Sequence, residues 1–471
     1  MDYDLIIIGS GPGGYVAAIR ASQLKMKVAV IERAELGGIC LNWGCIPTKS
    51  LLKSAQVYDY LTHASDYGIT ISGEVRPDFS AMVSRSRNVA NGMSKGVQFL
   101  FKKNNIEHIK GYGRLAGKNK AEVEVEVEVE VEAPDGTRKK YSSRNVILAT
   151  GARSKELPNL KQDGKKIIGY REAMTLEKQP GSMVVVGSGA IGSEFANFYQ
   201  SLGTNVTLVE FLPRIVPIED EEVSKQLERS FKKIKMKVLT DSSVESVDTS
   251  KEKCQVTIKT PKGNEVVEAD IVLSAVGITT NIEDIGLESA GVKTDNGKVV
   301  VDDYYQTSIP GIFAIGDIVH GPALAHVASA EGIICVEKIA GLEVDPLDYK
   351  NIPGCTYTTP EIASCGFTES DAREAGYDIK VGKFPFTASG KASAAGAKDG
   401  FVKLIFDAAY GELLGAHMIG ANVTEMISEI IVARKLETTA HEIIKSVHPH
   451  PTMSEAIMEA AAAAYGEVIH L

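Results

Sequence analysis

Four consecutive apolar residues, Leu5-Ile6-Ile7-Ile8, run straight into Gly9-Ser10-Gly11-Pro12-Gly13-Gly14. This pattern predicts a strand ending in a glycine-rich turn. An Ala-rich helical stretch follows, and a second strand, Val28-Ala29-Val30-Ile31, closes on Glu32. The same order returns far along the chain. Met183-Val184-Val185-Val186 precedes Gly187-Ser188-Gly189-Ala190-Ile191-Gly192, and another helix leads to Val206-Thr207-Leu208-Val209 and Glu210. Gly9 to Glu32 and Gly187 to Glu210 are both intervals of 23 residues, which marks an internal repeat.

Each copy has a later apolar strand ending in a glycine turn, Val146–Gly151 and Ile271–Gly277. A third such strand, Gly311–Asp317, has no glycine-rich start of its own, so it is expected to return to the first domain around an inserted second one. From about Tyr349 the pattern changes to strands such as Phe401–Phe406 and Ala-rich amphipathic helices, predicting a separate α+β domain. The expected division is 1–150 with 280–348, then 151–279, then 349–471. One segment stands out: Glu122 to Glu132 alternates Glu and Val, the period of a strand with one acidic and one apolar face. Pro134-Asp135-Gly136 signals a turn, which would set Arg138-Lys139-Lys140 opposite the glutamates. A solvated hairpin protecting a sheet edge is the expected form, with docking of a basic partner as the alternative.

At roughly 150 residues per domain, 471 residues suit about three domains. No apolar run approaches the ~18 residues of a membrane span. The first strand follows Met1-Asp2-Tyr3-Asp4 at once, so no secretory or transit segment is expected and the cytosol is the expected address. Lys and Arg total 51 against 61 Asp and Glu, a net charge of −10 that argues against nucleic acid. Six cysteines are too few for a disulfide scaffold, which makes a close pair a candidate for catalysis or metal binding.

In the pattern G-x-G-x-x-G the first glycine permits the strand-to-helix turn and the second admits a pyrophosphate. The third lets helix pack on strand. Gly9, Gly11 and Gly14 satisfy it, as do Gly187, Gly189 and Gly192, and Glu32 and Glu210 can accept from ribose hydroxyls. At Glu210 a carboxylate would repel a 2′-phosphate, which favours NAD over NADP. The predicted fold class is α/β, with two Rossmann-like dinucleotide-binding domains, one inserted in the other, plus a C-terminal α+β interface domain. Two dinucleotide sites imply a flavin and a nicotinamide, between which hydride can pass.

Cys40 and Cys45 follow directly in Gly37-Gly38-Ile39-Cys40-Leu41-Asn42-Trp43-Gly44-Cys45-Ile46-Pro47-Thr48-Lys49. In a regular helix their Cα atoms would lie roughly 8–9 Å apart, beyond the about 4.4–6.8 Å of a disulfide. A bridge therefore needs a distorted turn, for which Gly44 and Pro47 supply irregular backbone. Half a metal site or two buried thiols are the competing readings, though no second ligand pair is near and no metal is expected. Cys254, Cys335, Cys355 and Cys365 read as core packing. Last comes His448-Pro449-His450-Pro451-Thr452-Met453-Ser454-Glu455, where an imidazole suits proton traffic to a thiol, while Thr452-x-x-Glu455 equally suits a capping box.

These constellations, in this order and nearly end to end, resemble the pyridine nucleotide–disulfide oxidoreductases, and among them the members that oxidise dihydrolipoyl groups with NAD⁺. The resemblance implies that Cys40 and Cys45 form the redox-active disulfide, Cys40 exchanging with substrate and Cys45 contacting the flavin. It implies that Lys49, paired with Glu194, sits near the flavin ring. Gly113, Asp317 and Ala325 match positions lining FAD, Val244 and Gly277 match positions lining NAD, and Gly151 counts as a further cofactor contact. His450 and Glu455 match the catalytic base and its orienting carboxylate, with the base supplied by the other subunit of a homodimer. The implied partners are lipoyl domains and the acyltransferase core of a 2-oxo acid dehydrogenase or glycine cleavage complex. Ile278-Thr279-Thr280 departs from the Arg and Pro of many relatives. A glutathione-type reductase is the alternative, but its usual NADPH would call for cations where Glu210-Phe211-Leu212 has none. A mercuric reductase would carry a cysteine pair near the carboxyl terminus, where this sequence has none.

Overall fold

β1 (Tyr3–Ile8) lies between β2 (Val28–Glu32) and, later in the chain, the strand Arg138–Leu148, parallel to both. Leu5, Ile6, Ile7 and Ile8 are accordingly buried on both faces, which is why the strand reads as continuously apolar. The structure, a computed structural model, describes residues 1–120 and 125–471. Beyond β2 comes β3 (Glu107–Lys110); on the other side β4 (Tyr112–Lys120), β5 (Val125–Glu132) and β6 (Arg138–Leu148) form an antiparallel meander. Residues 138–143 of β6 pair with β5, and residues 143–148 pair with β1. The strand Ile312–Ala314 pairs in parallel with β6, Ile312 opposite Val146, so the chain does return to its first sheet.

The Glu–Val run behaves differently from the expected edge hairpin. β5 is flanked on both sides, because β4, with two glycines and a bulge between Leu115 and Gly117, takes the outer place. Val127, Val129 and Val131 are buried in the core with Ile6, Ile8 and Leu148. On the other face Glu130 pairs with Arg114, Glu132 with Arg138 (3.0 Å) and Glu128 with Lys140 (3.3 Å). The cations expected opposite the glutamates are therefore in place. Glu122, Val123 and Glu124 lie outside the described residues.

The chain divides into two compact units, Met1–Ser50 with Ser80–Lys155 and Ile278–Leu347, and Leu51–Phe79 with Glu156–Gly277 and Asp348–Leu471. The second repeat copy and the C-terminal segment thus fall together in the second unit. Its parallel sheet runs in the order 237–239, 205–209, 182–186, 271–274, 167–168. Its antiparallel sheet runs 354–356, 361–366, 413–420, 401–407, 379–385.

A buried polar row explains why those two segments are one unit. Ser364, His417 and Lys403 stand opposite one another on adjacent antiparallel strands, so their side chains share a face. The start of the helix Glu221–Lys233 meets that face. Lys403 Nζ lies 3.0 Å from Asp220 Oδ2, 2.9 Å from Glu222 Oε2 and 2.9 Å from Glu369 Oε2, with the lysine side chain only 2% exposed. Glu219 bonds to Ser364, and its burial lifts the carboxyl to about 7, the Ser364 bond opposing and Asp220 adding to the rise. Among the described residues, no helix is long and apolar enough to cross a membrane.

Candidate active site

The two glycine motifs build one geometry twice. Gly9 has φ +104, and a Cβ there would sit 2.2 Å from the Ala149 carbonyl oxygen. Gly187 has φ +96, with 2.4 Å to that of Ala275. A Cβ on Gly14 would sit 2.0 Å from the Gly9 oxygen, and on Gly192 1.9 Å from the Gly187 oxygen. Helix and strand therefore touch backbone to backbone. Around Gly11 and Gly189, by contrast, nothing lies within 4 Å of such a Cβ. These two glycines cap α1 (Pro12–Gln23) and the helix Ala190–Ser201, leaving each helix's positive end open to an anion. A pyrophosphate fits both places.

Glu32 and Glu210 are held alike. Glu32 Oε2 accepts from the Ser10 N–H (2.9 Å) and hydroxyl (2.7 Å), and its Oε1 from the Ala34 N–H (2.9 Å). Glu210 Oε2 accepts from the Ser188 N–H (2.8 Å) and hydroxyl (2.6 Å), and its Oε1 from the Leu212 N–H (2.9 Å). A carboxylate offers about four acceptor directions, so each retains capacity for a ribose hydroxyl.

The cysteine pair straddles a helix break. α2 (Gly38–Trp43) stops at Gly44, whose φ of −147 and ψ of −110 are not helical, and α3 (Cys45–Thr62) starts afresh. The break brings the two Cα atoms to 4.7 Å, and Cys40 and Cys45 are joined by a disulfide. The distorted turn required by the spacing is thus present. α4 (Phe79–Lys103) braces it: the Ser86 hydroxyl donates to the Pro47 carbonyl (2.9 Å), and Arg85 donates to the Ser50 carbonyl (2.8 Å) and hydroxyl (2.7 Å). Arg87 donates to the Asn42 carbonyl (2.6 Å) with its guanidinium 4.1 Å from the Trp43 ring. Asn42 is itself buried, donating to the carbonyls of Leu36 and Gly38. None of these supports is announced by local sequence, since Ser84-Arg85-Ser86-Arg87 reads as an ordinary solvated helix face.

Other expected contacts vary in what holds them. Lys49 follows Cys45 by four residues on α3. Glu194 is buried, its Oε1 accepting from the Tyr357 N–H (2.9 Å). Asp317, in the turn Gly316–Ile318, is pushed above the usual carboxyl range by burial, Lys298 partly offsetting this. Ala325 opens the helix Ala325–Ile339. Gly113 has a packing reason of its own: a Cβ would lie 3.0 Å from Ile31 and 3.2 Å from Ile8. Gly151 and Gly277 have φ of +68 and +114 beside open space. Val244 is a buried strand residue whose carbonyl accepts from Asn159 (2.6 Å). The departing residues Ile278–Thr280 form a short strand paired with Ala152–Ser154.

At the carboxyl terminus one carboxylate reaches both an imidazole and the backbone of Thr452. Glu455 Oε1 lies 2.8 Å from His450 Nδ1, while Oε2 accepts from the Thr452 N–H (2.7 Å). The reciprocal half of a capping box is missing, because the buried Thr452 hydroxyl has no partner and the helix Glu455–Ala464 starts after Ser454. Burial would raise the Glu455 carboxyl, but the bonds from Thr452 and His450 outweigh it and hold the carboxyl below its ordinary range. Nδ1–H donation to that carboxylate leaves Nε2 of the exposed His450 ring as the proton acceptor. The other thiols suit packing: Cys254, Cys335 and Cys365 are buried and burial raises each, Cys365 to about 11, while Cys355 packs half-buried against the C-terminal core.

The chain is similar to known proteins over nearly its whole length. Residues 3–332 match the family described as Pyridine nucleotide-disulphide oxidoreductase, and residues 352–461 match its dimerisation domain. A dihydrolipoyl dehydrogenase of Rhizobium etli is 49% identical over 99% of both chains, and one of Zymomonas mobilis is 48% identical over 99% of both. The crystal structure of LpdA from Mycobacterium tuberculosis superposes with a TM-score of 0.89 at 27% identity, covering 97% of this chain and 98% of that one. This chain belongs to the pyridine nucleotide–disulphide oxidoreductase family.

Proposed function

We propose that the chain is an FAD-containing enzyme that oxidises protein-bound dihydrolipoyl groups to lipoyl groups with NAD⁺ as acceptor. The observation that carries this reading is the Cys40–Cys45 disulfide formed across a helix break, in the same unit as the first glycine motif. Relatives named dihydrolipoyl dehydrogenase over nearly the full length support the substrate class. FAD is assigned to Gly9, Gly11, Gly14 and Glu32, with Lys49, Gly113, Gly151, Asp317 and Ala325. NAD is assigned to Gly187, Gly189, Gly192 and Glu210, with Glu194 near the flavin and Val244 and Gly277 as further contacts. Residues 1–150 with 280–348, 151–279 and 349–471 are the corresponding FAD, NAD and dimer segments. The matched dimerisation domain supports a homodimer. We place it in the cytoplasm, serving lipoyl domains on an acyltransferase core.

The chain's own residues supply thiol chemistry and proton handling. His450 Nε2, from a second copy of the chain, takes the proton of one substrate thiol, and Glu455 stabilises the imidazolium that results. The thiolate attacks Cys40 Sγ, a substrate–Cys40 bond forms, and Cys45 leaves as thiolate. His450 releases that proton to solvent and takes the proton of the second substrate thiol, whose sulfur attacks the first substrate sulfur, closing the lipoyl disulfide and expelling Cys40 as thiolate. Two electrons then reside on the cysteine pair. Bound FAD supplies the acceptor for that pair of electrons and their onward hydride transfer to NAD⁺.

Replacing the base tests the scheme. His450→Gln should cut dihydrolipoamide turnover by roughly 10²–10⁴-fold while the protein stays yellow. A variant that turns over within a few-fold of wild type would remove His450 from the mechanism.

A further inference from the structure

Two residues before the assigned base, His448 forms a second imidazole–carboxylate pair that the mechanism does not use. Its Nε2 lies 2.8 Å from Glu429 Oε1, on the helix Val423–Lys435, and its Nδ1 lies 3.0 Å from the Ser446 carbonyl oxygen. A carbonyl only accepts, and so does an ionised carboxylate. Both ring nitrogens must then donate, which the imidazolium alone can do. The side chain is 7% exposed, so the ring is held in place rather than solvated.

The surroundings favour that cation. The Glu429 hydrogen bond lifts the imidazole above its ordinary range against a smaller pull from burial, and the charges of Glu429 and Glu455 add to the lift. The groups facing it are Glu429 from the helix 423–435, Glu455 from the start of the helix 455–464, and the Ser446 carbonyl on its own segment. Glu455 is also the partner of His450. Pro449 and Pro451 flank His450 and restrict φ on either side, so a restraint at 448 is passed on to 450.

We propose that His448 is a positioning residue for the base: its imidazolium fastens the backbone entering His450 to Glu429, while Glu455 fastens the backbone leaving it. The proposal rests on His450 being the base. Loss of the His448 proton leaves one of its two acceptors without a donor and loosens the upstream anchor. A group whose pKa is raised on folding contributes below its ordinary value and stops contributing as pH rises through the raised one. The anchor is therefore intact below the ordinary imidazole range and lost as pH rises through the raised one.

The test uses FAD-loaded protein and follows kcat for dihydrolipoamide oxidation across neutral and alkaline pH. It includes wild type, Glu429→Gln, His448→Gln, His448→Arg and His450→Gln, with thermal denaturation beside each. Glu429→Gln should move the alkaline fall in kcat toward neutrality by about one pH unit or more. His448→Gln should lower neutral-pH kcat about tenfold or more, up to the roughly 10²-fold that a 1 Å misplacement costs. It should leave the KM for NAD⁺ and NADH-driven reduction of an artificial acceptor near wild type, since neither needs the base. His448→Arg, with a permanent charge and two donors, should recover part of kcat and flatten the alkaline fall. The proposal is overturned if the alkaline fall stays put in both Glu429→Gln and His448→Arg, or if kcat losses simply track melting temperature. If His450→Gln itself retains turnover, the base assignment fails first and this proposal falls with it.

Discussion

Gly192→Ala should separate the two dinucleotide sites. A Cβ at 192 would lie 1.9 Å from the Gly187 carbonyl oxygen, while a distance under 3.0 Å is one that real Cβ atoms essentially never show. Both sides of the clash are backbone, so helix Ala190–Ser201 must retreat by roughly 1 Å from the strand end. Overpacking of this kind costs about 1–3 kcal/mol, or roughly 5- to 150-fold in affinity if the helix end is what binds the nucleotide. The predicted outcome is a raised KM for NAD⁺ by that factor, with flavin content and flavin bleaching by dihydrolipoamide retained. Gly14→Ala, where the distance is 2.0 Å to the Gly9 oxygen, should instead lower the flavin-to-protein ratio. Gly189→Ala meets open space, so it should leave the melting temperature unchanged while weakening NAD⁺. The ratio is read from the visible and protein absorbance, and KM from NADH formation. An unchanged KM for NAD⁺ in Gly192→Ala, or loss of flavin from it alone, would refute the reasoning.

Two further predictions concern the buried polar row. Lys403→Met should destabilise by about 3–5 kcal/mol in denaturant titration, because Asp220, with its side chain 4% exposed, would keep a charge without its partner; adding Asp220→Asn should recover part of the loss, and a silent single variant would contradict the account. Glu219, lifted to about 7 by burial, keeps a proton when folded that the unfolded chain has already lost, so its burden on stability grows as pH rises from the carboxylate range through 7. Glu219→Gln should therefore gain stability over wild type above pH 7, by up to roughly 3 kcal/mol, and gain none at acid pH; equal gains at both ends would point to a cause other than ionisation.

Much of this architecture is readable because its signals are local. A glycine triad, a strand and a carboxylate at fixed spacing fall within one short stretch, and both copies fold as that spacing demands. The Cys40–Cys45 interval is similarly informative, since helix geometry forbids a bridge unless the helix breaks, and Gly44 is where it does. The Glu–Val run gave up its facing but not its place in the sheet, because Tyr112–Lys120 lacks the alternation that would mark an outer strand. Lys403 was illegible for another reason. Phe401-Val402-Lys403-Leu404-Ile405-Phe406 looks like a strand with one solvated lysine, and the carboxylate that neutralises it, Asp220, lies 183 residues away. His448, in the loop after the helix Ala440–Lys445, likewise meets a partner, Glu429, that lies 19 residues away.

The strict Val–Glu alternation in β5 carries one consequence of its own. A strand whose sequence repeats every two residues presents the same faces after a slip of two, so inward and outward assignment alone cannot fix its alignment. Alignment must come from outside the repeat: from the Leu115/Gly117 bulge and from Arg114, Arg138 and Lys140, each claiming particular glutamates. Whole Val-Glu dipeptides could then be gained or lost over generations with little effect on the rest of the sheet, making the length of this ribbon a tolerant variable in an otherwise constrained layer.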